Sequence, residues 1–116
     1  MRTALGEALG RYCDDVHSDE GPSLMTLPHV HHLHTAVHAR LRAGHSLLEL
    51  VGALHPTPAV GGTPREGALA FIRGHEGLDR GWYAGPVGWM DASGDGEWGI
   101  ALRSAAIDGA TVRLFA

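Results

Sequence analysis

Leu54-His55-Pro56-Thr57-Pro58-Ala59-Val60-Gly61-Gly62 is the stretch on which the fold turns. Pro56 and Pro58 cannot continue a helix, because proline lacks an amide donor and its ring clashes with the preceding turn. Just upstream, Ser46-Leu47-Leu48-Glu49 has the form of a capping box, which predicts a short helix from Leu47 to Leu54. Downstream, Gly61-Gly62 predicts a flexible turn. Thr63-Pro64-Arg65-Glu66 then supplies a second start: Thr as N-cap, Pro at the first helical position, Glu three after the cap. That helix is expected to run to about His75.

Beyond it the pattern becomes antiparallel sheet. Tyr83 to Met90 reads as one strand, Asp91 to Gly96 as a turn, and Trp98 to Ile107 as a second strand. Asp108-Gly109 is a two-residue hairpin signal, with a third strand from Ala110 to Ala116. Toward the N-terminus, Ala4, Leu5, Ala8, Leu9, Tyr12, Cys13 and Val16 recur at three- and four-residue spacing and predict a helix over 3–17. Residues 24–41 read as extended. From Val30 the chain alternates, with Leu33, Val37, Ala39 and Leu41 on a core face and His32, His34, His38 and Arg40 on a polar one. The class is therefore α+β, an antiparallel sheet with packed helices. Val112 to Ala116 is an apolar strand with no closing segment after it, which would leave backbone groups unpaired. The expectation is an incomplete piece of a larger layered fold, one partial domain over 1–116.

Bulk composition narrows the function. A chain of 116 residues makes at most one domain. The formal charge of -4 and the absence of any basic tract exclude nucleic acid as an evident partner. No apolar run approaches the roughly twenty residues of a membrane span, so no membrane is expected. Met1-Arg2 leads straight into an amphipathic pattern with no signal-peptide core. Cys13 is the only cysteine. A disulfide framework is thereby excluded, which fits a reducing cytoplasm, and Cys13 reads as a small buried hydrophobe. The nine basic residues are all Arg; the chain has no Lys.

Several clusters invite a chemical reading. His29, His31, His32, His34 and His38 lie close together, and His32 with His34 on one strand face could chelate a metal. No Cys pair or His-Glu-x-x-His accompanies them, so adventitious binding is the plainer reading. Asp91, Ser93, Asp95 and Glu97 mimic a calcium loop, but its twelfth position is Leu102, where a bidentate Glu is required. A hairpin turn fits better. Gly61-Gly62 before a helix could receive an anion, or simply let the backbone turn. Ser104 has no His–acid pair placed for it. Arg103 interrupts the apolar run Ile100-Ala101-Leu102-Arg103-Ser104-Ala105. A cleft-lining Arg would suit a ligand carboxylate; an outward-facing Arg on an alternating strand fits the same pattern.

Taken together, Leu54–Gly62, Asp79-Arg80-Gly81-Trp82-Tyr83-Ala84-Gly85-Pro86-Val87-Gly88-Trp89 and Ile100–Ser104 resemble the C-terminal catalytic half of the chorismate-utilising enzymes. The resemblance extends from His29 to Ala116. Leu-His-Pro-Thr-Pro-Ala-Val is most like the isochorismate synthase version; relatives that aminate chorismate or eliminate pyruvate often carry Thr where Ala59 stands. The fold implied is that of anthranilate synthase component I. The reaction implied converts chorismate to isochorismate. Magnesium (Mg2+) grips the ring carboxylate, a Lys acts as general base on a water attacking C2, and a Glu protonates the departing C4 hydroxyl. The resemblance assigns His32, in Val30-His31-His32-Leu33-His34-Thr35, to a contact near the reacting ring. It assigns Tyr83 to the pocket lining, Arg103 to a substrate carboxylate and Ala59 to the border of the attacking water, with Gly61 and Gly62 also in the substrate-binding set.

The same resemblance exposes departures. Its general-base Lys, its general-acid Glu and its Asp-Arg-x-Glu-His magnesium helix belong upstream of the segments seen here. A Gly-Ala-Gly-Ile-Val strand and a Glu-rich helix with further metal ligands belong beyond Ala116. Acid–base and metal electrostatics supply most of the acceleration in such chemistry. The expectation is a chain covering a quarter to a third of the enzyme and inactive alone. It would be a segment of an enzyme serving siderophore or menaquinone biosynthesis, or a non-enzymatic remnant, or a piece that works with a second chain carrying the rest; a His-rich metal-binding protein is the third reading.

Overall fold

The structure, a computed structural model, describes residues 2–115. The chain divides into two compact units, meeting in sequence at Ser46 and Leu47.

In the first unit, α1 (Arg2–Leu9) is half the predicted length. Gly6 and Gly10 weaken helix, and the following segment finds a strand partner instead. β1 (Cys13–Ser18) pairs antiparallel with β4 (Val37–Leu41), matching Cys13 to Leu41 and His17 to His38. Tertiary pairing thus overrides the helical spacing of Tyr12, Cys13 and Val16. The turn out of α1 is tightened by Arg11 N–H donating to Ala8 O and Tyr12 N–H to Leu9 O. A bulge at Asp15 and Val16 sets two residues opposite Ala39, with Asp15 at φ 53. The predicted extended stretch 24–41 is three strands. β2 (Ser23–Leu27) and β3 (Val30–His34) form a hairpin closed by Pro28 and His29. Its Leu24 and Leu33 face each other in register but stay in solvent, Leu33 at 77% exposure. The core face expected for Leu33 is therefore not formed here. Among the described residues of this unit, Leu9 and Cys13 are buried, the latter 3% exposed as a buried hydrophobe, though at the head of a strand.

The second unit begins with α2 (Leu47–Leu54), which has the bounds the capping box and Pro56 predict. A short α3 (Pro58–Gly61) follows, with Thr57 as extended N-cap and Pro58 at its first position. Gly61 and Gly62 form a tight joint, not the flexible turn predicted. Their amides donate to Thr57 O and Pro58 O, at 2.9 and 3.0 Å. A Cβ on Gly61 would stand 3.0 Å from the Pro56 ring; one on Gly62, at φ +75, would stand 2.6 Å from Ala68 Cβ. α4 (Arg65–His75) ends as predicted but starts one residue late, with Pro64 as the extended N-cap.

β5 (Pro86–Met90) and β6 (Gly96–Ile100) form a hairpin with Gly88 opposite Trp98. The Asp91 carboxylate accepts from the Ser93 and Asp95 amides at 2.8 and 3.1 Å, so it organises its own turn. α2 lies against this hairpin, with Leu47 reaching Gly96. The second predicted strand, Trp98–Ile107, is broken. Ala84 and Ala101 exchange bonds with the neighbouring chain: Ala84 N–H donates to Ala101 O, and Ala101 N–H to Gly85 O. Leu102 then turns back on Ile100 O, and Arg103 takes φ 48. After this corner β7 (Ser104–Asp108) pairs with β8 (Thr111–Phe115), Gly109 entering the turn at φ 57. Ala116, the last residue of the predicted strand, lies outside the described residues. Among the described residues of this unit, Gly61 and Ala84 are buried. Among the described residues no helix is long and apolar enough to cross a membrane.

Candidate functional site

The site grows from the loop after α4. Its sequence places Arg80 four residues past Glu76, and the pair closes: Arg80 Nε donates to Glu76 Oε1 and Oε2 at 3.1 and 2.8 Å. Arg80 Nη1 reaches back to Val60 O at 3.0 Å, which ties the loop to α3. Tyr83 N–H donates to Arg80 O at 2.8 Å, and the Arg80 guanidinium lies 5.8 Å from the Tyr83 ring centroid. Tyr83 in turn stacks on Phe115 of β8, centroids 4.8 Å apart at 8°. Arg80 alone among the described arginine side chains is half-buried. One side chain therefore holds α3, the end of α4 and the tyrosine loop in a fixed relation.

Beside this stack opens a cleft of about 340 Å³, lined by Arg80, Trp82, Tyr83, Ser104, Arg113 and Phe115 among others. A second cleft of about 250 Å³ shares Tyr83, Arg113 and Phe115. Arg113 makes no hydrogen bond or ion pair with the described residues, so its guanidinium faces the cleft with its donors free. An aromatic wall beside an uncommitted guanidinium is chemistry for a ring that carries a carboxylate.

The sequence-predicted residues divide. Tyr83 is in the cleft. Gly61 is buried, Gly62 half-buried and Ala59 exposed, all at α3, which Arg80 joins to the tyrosine loop. Arg103 stands at the β6–β7 corner, exposed, and without a hydrogen bond or ion pair among the described residues. The mid-strand position expected for it is not what forms, because its own left-handed φ breaks the strand. His32 belongs to the first unit, on β3 opposite Met25, exposed. Sequence reading missed Arg80, Arg113 and Phe115. The available signal for Arg80 was its position four after Glu76 inside the quoted motif.

A third cleft, about 260 Å³, lies between α2 and the β5–β6 hairpin, lined by Val51, Leu54, His55, Thr57, Trp98 and Ile100 among others. Burial, then the nearby Arg65 charge, lowers the His55 pKa below its ordinary 6.5. Arg65 Nη2 also donates to His55 O at 2.6 Å. Thr57 Oγ1 and Trp98 Nε1 are buried here with no hydrogen-bond partner.

The histidines do not converge. His17 stacks on His38 at 5.3 Å, and His31 Nδ1 lies 3.1 Å from Thr26 Oγ1. Among the described residues no three His, Cys, Asp or Glu side chains could hold a metal ion together. A magnesium ion wants an octahedral set of oxygens, and the described residues do not assemble one.

Residues 2–116 match the chorismate binding enzyme family, and the chain belongs to it. It is 48% identical over 113 residues to the salicylate biosynthesis isochorismate synthase of Pseudomonas aeruginosa, covering 97% of this chain and 24% of that protein. It is 46% identical over 104 residues to the isochorismate synthase MenF of Bacillus subtilis, covering 90% and 22%. Among solved structures it matches one described as a 2,3-dihydroxybenzoate-specific isochorismate synthase, DhbC, from Bacillus anthracis. That match has TM-score 0.82 and 43% identity, and covers 89% of this chain and 28% of that one. The chain thus spans about a quarter of the length of the curated relatives it matches.

Proposed function

We propose that this chain is the chorismate-holding part of an isochorismate synthase. The ring would sit in the cleft beside Tyr83, and Arg103 or Arg113 would take the substrate carboxylate that magnesium does not hold. The observation that carries the reading is the cleft itself: Tyr83 on Phe115, braced by Arg80, with the free Arg113 guanidinium on its wall. Ala59 and the Gly61-Gly62 joint would shape the edge where water approaches. The parent reaction adds water at C2 of chorismate and expels the C4 hydroxyl. Magnesium, when bound, would neutralise the ring carboxylate; its ligands would come from segments outside this chain. With no Lys in the sequence, the general base would come from those segments too. The names of the relatives include a salicylate biosynthesis enzyme and a vibriobactin-specific one, which supports a siderophore role; the menaquinone route shares the reaction. The cytoplasm is the proposed location.

The test is chorismate titration followed by tryptophan fluorescence, since Trp82 lines the cleft. Saturable quenching is expected. Its midpoint should weaken at least tenfold in Tyr83→Ala and in an Arg103→Ala, Arg113→Ala double variant, the scale of one lost charge-assisted contact. Unsaturable quenching would refute the site. With magnesium, isochorismate from the chain alone should not exceed a heat-denatured control.

A further inference from the structure

The two hairpins of the second unit each carry an exposed apolar face. In β7–β8 the register pairs Ala105 with Leu114 and Ile107 with Val112, so strand alternation puts these four on one face. The opposite face carries Ser104, Ala106, Arg113 and Phe115, which line the larger cleft, though Ala105 also borders that cleft and Leu114 the smaller one, so Ile107 and Val112 are the two that stand clear of both. The bare face is wholly apolar: Ile107 is 76% exposed, Val112 55% and Leu114 78%. In β5–β6, Pro86, Trp98 and Ile100 share the cleft with α2, while Val87 and Trp89 on the other face are exposed.

Solvent is a poor occupant for such faces. What covers them is indicated by the family match. The same fold occurs as 28% of a solved chain, so there these hairpins are built beside about two and a half times as much further polypeptide.

We infer that the bare β7–β8 face, Ala105, Ile107, Val112 and Leu114, is the docking surface for the portion of a chorismate-binding enzyme that this chain does not cover. The contact is apolar and side-on, through the side chains of that face. It deepens the proposed function by naming the partner, but stands on family membership and exposure, not on the substrate.

The test joins the whole chain to the Bacillus anthracis DhbC polypeptide from which the matching 28% has been deleted. The two are co-expressed and measured by size exclusion with light scattering. A one-to-one complex is expected. Ile107→Asp and Leu114→Asp, on exposed side chains, should each weaken it at least tenfold while leaving the circular dichroism of the chain unchanged. Arg73→Ala, on exposed α4, should not weaken it. A folded chain that elutes without the partner overturns the inference. So does a self-associated dimer that excludes it, or a complex indifferent to both Asp substitutions. Complex formation without isochorismate, in a pair that also fails to bind chorismate, would keep the docking and remove the catalytic reading.

Discussion

Each unit is tied together by arginine, in different surroundings. In the first, Arg42 Nε bonds Asp14 at 2.8 Å, and its Nη atoms take Arg11 O and Gly10 O at 3.0 and 3.2 Å. Arg40 pairs with Asp15 across the bulge. All four side chains are exposed, so water and salt screen them. In the second, Arg80 and Glu76 are both largely covered, and the same guanidinium also carries Val60 O and the Tyr83 ring. Around it the chain packs through glycines that leave no room for a Cβ. The first unit is clasped from outside; the second is fitted from inside. Sensitivity to substitution should therefore concentrate in the second.

Each unit carries its own reporter. Trp82, Trp89 and Trp98 all lie in the second, and the sole thiol, Cys13, is buried in the first. The largest effect is expected for Gly88→Ala. A Cβ there would run into the Glu97 carbonyl oxygen and stand 2.8 Å from Trp98 Cα. Overpacking of this kind costs about 3 kcal/mol, read as a lowered urea midpoint in tryptophan fluorescence. An unchanged midpoint would erase the contrast. Arg42→Ala comes next, at about 1 kcal/mol after discounting for exposure. It should speed thiol labelling of Cys13 about fivefold, whereas Arg40→Ala should change it by less than about twofold. Equal effects would mean that the carbonyl contacts of Arg42 contribute nothing.

The smallest effect is pH-dependent. Burial lowers the His55 pKa from 6.5, so the unfolded chain binds that proton more readily than the folded one. The stability from neutral His55 is complete above 6.5 and is lost as pH falls from there through the folded value. His55→Gln should remove that part of the acid-side slope in the fluorescence-detected midpoint. A slope unaltered by the substitution would show that His55 has no share in it.

What could be read from sequence depended on whether the signal was local. α2 has its predicted limits because a cap and a proline mark both ends within the segment itself. α1 was over-extended because a stripe at Tyr12, Cys13 and Val16 suits a helix, and only pairing with residues 37–41 reveals the strand. The corner at Arg103 carries no Gly to announce its positive φ; it exists because Ala84 and Ala101 bond each other. Tyr83 was legible through the motif around it. Arg113 was not, because an arginine on an alternating strand looks like any solvated one until Tyr83 and Phe115 make a wall beside it.

Among the described residues every sheet has two strands. In a two-stranded antiparallel ribbon only alternate amides point at the partner; the rest point outward. Deuterium uptake along β7 and β8 therefore carries a two-residue beat, slow and fast in turn. A third strand laid against either edge would silence the fast beats of that strand alone, whereas a body resting on the flat of the ribbon would leave the rhythm intact. The isotope pattern thus distinguishes the edge of this sheet from its face without disturbing a single side chain.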